Sequence, residues 1–244
     1  MSQPSPTTSR HKVALVTGAG SGIGRAIAAS LAANGFMVAL IGRREAPLQE
    51  TLSMLGGRGK VYVADIGDPA VASEIGTTVA RDMGSLDVIV NNAGLGIPAR
   101  VGEARTQDIV AMFFANSIGP TVLVNGAWES LMKTAETHGR AVVINISSLA
   151  TVDPFETLYG YAPTKGAVNT LALAIRNAGK SHGIKAFSLA LGAVETAMLR
   201  GIVDERVLPR EKCMQPEAIA HTVLACINGE HDARNGDTIL VPSP

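Results

Sequence analysis

Tyr161 and Lys165, in Tyr161-Ala162-Pro163-Thr164-Lys165, are spaced for proton chemistry. Four residues apart on a helix, their side chains share one face a turn from each other. Pro163 has no N–H and is tolerated only in a first turn, so the helix is expected to begin close to Tyr161. A tyrosine that exchanges a proton near neutral pH needs its pKa lowered by roughly 3 units, which is about 4 kcal/mol of preferential phenolate stabilisation. An ammonium about 4 Å away supplies on the order of 4 kcal/mol at an effective dielectric of about 20. One well-placed Lys165 is therefore expected to suffice.

A second group is suited to binding phosphate. After the apolar Val13-Ala14-Leu15-Val16 comes Thr17-Gly18-Ala19-Gly20-Ser21-Gly22-Ile23-Gly24. Glycines let a chain turn sharply and bring its backbone close to a pyrophosphate, whose charge meets the free N–H groups at a helix start. With 26 Gly in 244 residues, the glycines alone are weak evidence, and a plain connecting turn is the alternative. Their place between a buried-type strand and an amphipathic helix carries the reading. In that helix Ile23, Ile27 and Leu31 recur with Ala28 and Ala32 beside them, and Asn34-Gly35 ends it.

The elements that must position these groups follow from the alternation of apolar runs with longer Ala-rich segments, the pattern of an α/β doubly wound parallel sheet covered on both faces. Strands are expected at 13–17, 37–41, 60–64, 86–91, 141–147, 185–191 and 238–241. Residues 12–244 read as a single Rossmann-type domain, preceded by a polar, disordered tail over 1–11. The stretch 197–214 lacks periodicity and is read as a short lid over the carboxyl end of a strand.

Composition excludes several classes. Lys+Arg number 21 and Asp+Glu 21, and no basic stripe is present, so nucleic acid is not an expected partner. Uninterrupted apolar runs are strand-sized, short of the roughly 18 residues of a membrane helix, so no membrane partner is expected. Cys213 and Cys226 are too isolated for a disulfide framework or a metal site and read as reduced thiols of a cytoplasmic protein.

The T-G-x-x-x-G-x-G spacing resembles that of the short-chain dehydrogenase/reductase family, in its single-domain branch with 3-oxoacyl-ACP reductase-like members, and the likeness runs from about Lys12 to Val241. Asn91-Asn92-Ala93-Gly94 and Tyr161-x-x-x-Lys165 match further family elements, and Asp65-Ile66 stands where the family contacts adenine. Taken singly, Asp65 is equally a cap for the next helix, and the Asn-rich element a turn. The resemblance implies a cofactor site of Gly18, Gly20, Ser21, Gly22, Ile23, Gly24, Arg43, Arg44, Asp65, Ile66, Asn92, Ala93, Gly94, Tyr161, Lys165, Gly192, Val194 and Thr196. It implies that Tyr161 exchanges the proton, Ser148 orients the substrate, Lys165 binds the nicotinamide ribose, and Asn116 holds a water joining Lys165 to solvent. Ser147 competes with Ser148 for its role, and Asn116 is otherwise a helix-interior residue bonded to backbone.

Gly42 occupies the position of the acidic residue of NAD-type members and Arg43 that of the NADP-type arginine, so NADP(H) is favoured over NAD(H). The alternative makes Arg43 and Arg44 a solvated loop pair. The implied activity is reduction of a small carbonyl substrate to a secondary alcohol, or the reverse oxidation. A catalytically silent NADP(H)-binding or scaffold protein is the competing function. Where the family has Pro-Gly this chain has Leu191-Gly192, and the asparagine usual in the sixth strand is missing near Ala186-Phe187. Val241-Pro242-Ser243-Pro244 replaces a tail used in tetramers, which leaves a homodimer through helices near 110–135 and 167–180 as the expected assembly, with a tetramer possible. Trp128 is either an anchor of that interface or a core aromatic. Apolar Phe155, Leu158, Met198 and Leu199 mixed with Arg200, Arg206 and Arg210 leave an apolar ketone, a sugar or an anionic acyl thioester open as substrate.

Overall fold

The structure is a computed structural model that describes residues 11–244; apart from His11, the tail expected over 1–11 lies outside the described residues. Seven strands, β1 Val13–Thr17, β2 Met37–Gly42, β3 Gly59–Val63, β4 Val88–Asn91, β5 Ala141–Ser148, β6 Ile184–Leu191 and β7 Thr238–Val241, form one sheet in the order β3-β2-β1-β4-β5-β6-β7. Every pairing is parallel, and strand edges differ from expectation by at most two residues. The chain's direction across the sheet reverses between β1 and β4, so the loops leaving those two strands diverge and open a crevice at their carboxyl ends.

The helices are α1 Gly22–Ala33, α2 Glu45–Ser53, α3 Pro69–Met83, α4 Thr106–Phe113, α5 Gly119–Gly126, α6 Trp128–His138, α7 Tyr161–Gly179, α8 Ala197–Arg200 and α9 Pro216–Asn228. On one sheet face Ile27 and Leu31 of α1 join Ile219 and Val223 of α9 over Val16, Leu40 and Phe187. On the other, Val79, Leu123, Leu131 and Ile175 from α3, α5, α6 and α7 pack on Leu15, Ile41 and Val143. β1 is buried at all its positions, which is why it reads as an unbroken apolar run rather than an alternation.

The single helix expected around 110–135 is instead broken. Pro120 has no N–H to give the carbonyl of Asn116 four residues back, so the ladder fails there and widens into a π-helical turn at Phe114–Ile118. A Cβ on Gly126 would stand 1.9 Å from the Ser73 carbonyl oxygen, so α5 lies backbone to backbone on α3. Within the 21-residue helical run Thr106–Gly126 an 18-residue window has a mean hydropathy of 1.4, which makes the run long and apolar enough to cross a membrane by length and composition. It exceeds the apolar runs of the sequence because Asn116 and Ser117 interrupt it, and both are buried against α7.

Polar ties fix the register of α7 on the sheet. Asn91 Nδ2 donates to Asn145 Oδ1 at 2.9 Å, and Asn145 Nδ2 donates to the Val168 carbonyl at 3.0 Å. Ser188 of β6 donates to the same carbonyl at 2.8 Å, a strand-six tie despite the missing asparagine. Trp128 packs on the core, with its ring 3.2 Å from where a Gly179 Cβ would sit.

Candidate active site

The glycine turn is stitched to the end of β4. Thr17 Oγ1 accepts from the N–H groups of Asn92 and Ala93, both at 2.9 Å, and Asn92 Nδ2 donates to the Thr17 carbonyl at 2.8 Å. Gly18 has φ +67, and a Cβ on Gly24 would lie 2.2 Å from the Gly18 carbonyl oxygen, so neither position accepts a side chain without moving backbone. Ser21 precedes α1 without capping it through its side chain, which leaves the first N–H groups of the helix open to a ligand. From outside, Arg25 donates to the Gly20 carbonyl at 2.6 Å and to Thr51 Oγ1 at 3.1 Å, bracing the turn.

A cavity of about 960 Å³ runs from this turn along the carboxyl ends of the strands. Gly18, Gly20, Ser21, Gly22, Ile23, Arg43, Arg44, Asp65, Ile66, Asn92, Ala93 and Gly94 line it, as do Ser148, Tyr161, Lys165, Gly192, Val194 and Thr196. Gly24 lies beneath the turn, and Asn116 stands behind Gly94 and Leu95. The close backbone and open helix start fit a dinucleotide's pyrophosphate. At the end of the cavity beside β2 and β3, Asp65 accepts from the Gly67 N–H at 2.9 Å and lies 4.0 Å from Arg43, while α3 is capped by Asp68 instead.

At the other end α7 begins at Tyr161, with Pro163 in its first turn. Lys165 is buried, donates from Nζ to the Ile146 carbonyl at 2.8 Å, and stands 5.8 Å from the centre of the Tyr161 ring. Burial pushes the Tyr161 phenol up to about 12, with the neighbouring Ser148 hydroxyl working the other way, and lowers Lys165 to about 8. The phenol's shift is thus upward, where a nearby ammonium was expected to act downward. Desolvation is the largest cause of both shifts.

Ser147 and Ser148 both border the cavity, but the Ser147 hydroxyl is taken up by the Lys165 carbonyl at 3.2 Å. Asn116 is buried in the π-helical turn. Its Oδ1 accepts from the Leu95 N–H at 2.7 Å, and its Nδ2 donates to the Leu95 carbonyl and to Thr164 Oγ1, each at 2.9 Å. Thr164 in turn donates to the Tyr161 carbonyl at 2.6 Å. A Cβ on Gly94 would fall 3.3 Å from Asn116 Oδ1 and 3.4 Å from Lys165 Nζ, so that glycine separates the two groups.

The segment after β6 is tied down. The Gly192 N–H donates to the Val241 carbonyl at 2.9 Å, Val194 bridges to Met214, and Thr196 caps α8 by accepting from the Leu199 N–H at 3.2 Å. Over the region read as a lid, Arg200 pairs with Glu195 and donates to the Leu208 carbonyl at 2.8 Å, stapling its first turn to its later half. The sequence reading missed Thr17, Arg25, Thr164 and the Glu195–Arg200 pair. Thr17 stands beside the glycine turn and Glu195 and Arg200 are five residues apart, whereas Arg25 and Thr164 act through partners 26 and 48 residues away.

The short chain dehydrogenase family profile matches residues 12–207. An uncharacterized oxidoreductase of Staphylococcus epidermidis is 30% identical over 192 residues, covering 79% of this chain and 82% of its own. One from Staphylococcus aureus is 29% identical over 219 residues, covering 89% and 91%. Among solved structures, 3-ketoacyl-(acyl-carrier-protein) reductase from Brucella melitensis complexed with NADH superposes with a TM-score of 0.88 at 24% identity, covering 94% of this chain and 96% of that one, a likeness of fold. A short chain dehydrogenase/reductase family protein superposes at 0.83 with 27% identity, covering 94% and 95%.

Proposed function

The chain belongs to the short-chain dehydrogenase family of NAD(P)-binding oxidoreductases, and from that premise we propose that it reduces a small carbonyl compound to a secondary alcohol with NADPH. One observation carries this: Ser148, Tyr161 and Lys165 converge on one wall of the cavity whose far end is the glycine cradle. A bound nicotinamide supplies the hydride. Tyr161, with its phenol pushed up to about 12, stays protonated at neutral pH and gives that proton to the carbonyl oxygen, the direction of reduction. The Ser148 hydroxyl orients the same oxygen. Lys165, at about 8, is mostly an ammonium at pH 7 and has N–H donors beyond the one held by Ile146 for a ribose hydroxyl. Asn116 fixes Leu95 and, through Thr164, the first turn of α7, and its proposed part is to hold a water that joins Lys165 to solvent.

NADPH is favoured because the end of β2 offers Gly42 rather than a carboxylate, followed by Arg43 on the cavity wall with 70% of its side chain exposed. Arg43→Ala is expected to cut NADPH turnover relative to NADH by at least tenfold, the loss of a charge-assisted phosphate contact. An unchanged ratio excludes Arg43 as the selector. The exposed Val110, Ile118 and Leu173 on α4, the π-helical turn and α7 support a homodimer, and solution mass measures it. NADPH oxidation across a panel of carbonyl compounds tests the activity; thermal stabilisation by NADPH with no turnover of any of them returns the chain to the silent-binder reading.

A further inference from the structure

Which carbonyl compound enters is decided at the end of the cavity beyond Tyr161. There the lid meets the catalytic ring over Gly96. A Cβ on that glycine would lie 3.0 Å from Ile202 Cδ1, 3.8 Å from Met198 Sδ and 3.8 Å from Tyr161 Cδ2. Leu149, Phe155 and Leu199 continue the same wall, and Phe155 is 62% exposed.

Among the described residues, the charged side chains that line the whole cavity are Arg43, Arg44, Asp65, Asp153 and Lys165. The first three follow β2 and β3, and Lys165 belongs to the reacting centre. Asp153, an anion, is what remains on the substrate side. The arginines that the sequence offered to an anionic tail point elsewhere. Arg200 holds Glu195 and the Leu208 carbonyl, Arg206 pairs with Asp204 at 2.9 Å, and Arg210 pairs with Glu205 at 3.0 Å. Arg100, on the loop before α4, pairs with Glu156 at 3.2 Å. None of these four lines the cavity.

We infer that the substrate is an uncharged, mainly apolar ketone, and that carbonyl compounds with a carboxylate or phosphate tail, anionic thioesters among them, are rejected. This rests on the reductase reading above and narrows it. An apolar tail gains from leaving water against Ile202, Met198 and Phe155, whereas an anionic tail laid on that wall gives up water, finds no cation and faces Asp153.

The experiment compares two matched series with the full chain and NADPH: methyl ketones of increasing length, and keto acids of the same lengths with a terminal carboxylate. Tyr161→Phe serves as the blank. Within the ketones, kcat/KM is expected to rise about fourfold per methylene, mostly through KM, until the wall is filled. Each keto acid is expected to fall roughly tenfold or more below its matched ketone. Asp153→Asn narrows that gap, and Gly96→Val lowers the longest ketones relative to the shortest. Keto acids turned over as well as ketones, with the rate still dependent on Tyr161, overturn the substrate inference and leave the reductase reading standing. No Tyr161-dependent oxidation with either series overturns the reductase reading, and this inference falls with it.

Discussion

Lys165 has a cost in stability that its proposed role justifies, and that cost is measurable. Buried on α7 against β5, its amine has a pKa of about 8, against roughly 10.4 in an unfolded chain. Between those values the unfolded chain holds a proton that the folded chain has released, so stability rises with pH through the window. The penalty is fully present below about 8 and gone above about 10.4, and its size is about 3 kcal/mol. Lys165→Met keeps the length of the side chain and removes the charge. It also removes the 2.8 Å bond to the Ile146 carbonyl, worth about 1 kcal/mol. The variant is therefore expected to be about 2 kcal/mol more stable than wild type at pH 7 and to lose that advantage by pH 10.5. Tyr161 and Cys226, both pushed up to about 12 by burial, act in the opposite sense and lower stability at high pH. Both chains share them, so the difference between two urea titrations run from pH 7 to 10.5 isolates the lysine. A difference that is flat, or that turns against wild type as pH rises, refutes the reasoning.

The same amine sets a pH limit on activity. Reduction by wild type is expected to decline as pH passes about 8, where Lys165 loses its proton, and initial rates from pH 6 to 10 at saturating NADPH measure it. Arg200→Met, which releases the staple to Glu195 and Leu208, is expected to raise KM for the carbonyl compound several-fold and to speed tryptic cleavage after Arg206 and Arg210; lid cleavage as slow as in wild type contradicts the staple.

The parts legible in the sequence are those encoded within a few neighbouring residues. The glycine turn, the start of α7 at Pro163 and the strand positions each follow from a local pattern of apolar, glycine and proline residues, and the sheet places them on one cavity. What escaped depends on partners brought together by the fold. The broken helix at Asn116 was written in Pro120, four residues on, but its use as a tie to Leu95 and Thr164 needs the position of α7. Asp87 gives no signal in the sequence, yet its buried carboxylate accepts from the Val13 N–H at 2.8 Å and the Ser85 hydroxyl at 2.9 Å, with the His138 ring at 2.7 Å. The charge of the lid was legible as three arginines, and the carboxylates that pair with them, Glu195, Asp204 and Glu205, lie within five residues, so that pairing too was open to a local reading. The upward shift of the Tyr161 phenol was not legible, because the sequence shows a lysine one turn away and does not show the desolvation that both groups undergo.

The central claim is that the phenol of Tyr161 delivers the proton beside a bound dinucleotide. Tyr161→Phe removes one oxygen from a ring that stays beside Gly96. NADPH binding, read by nicotinamide fluorescence, is expected to stay within about twofold of wild type, while kcat for a ketone falls by at least 10²-fold, on the order of general acid catalysis. Wild-type turnover in that variant, with NADPH still bound, contradicts the account.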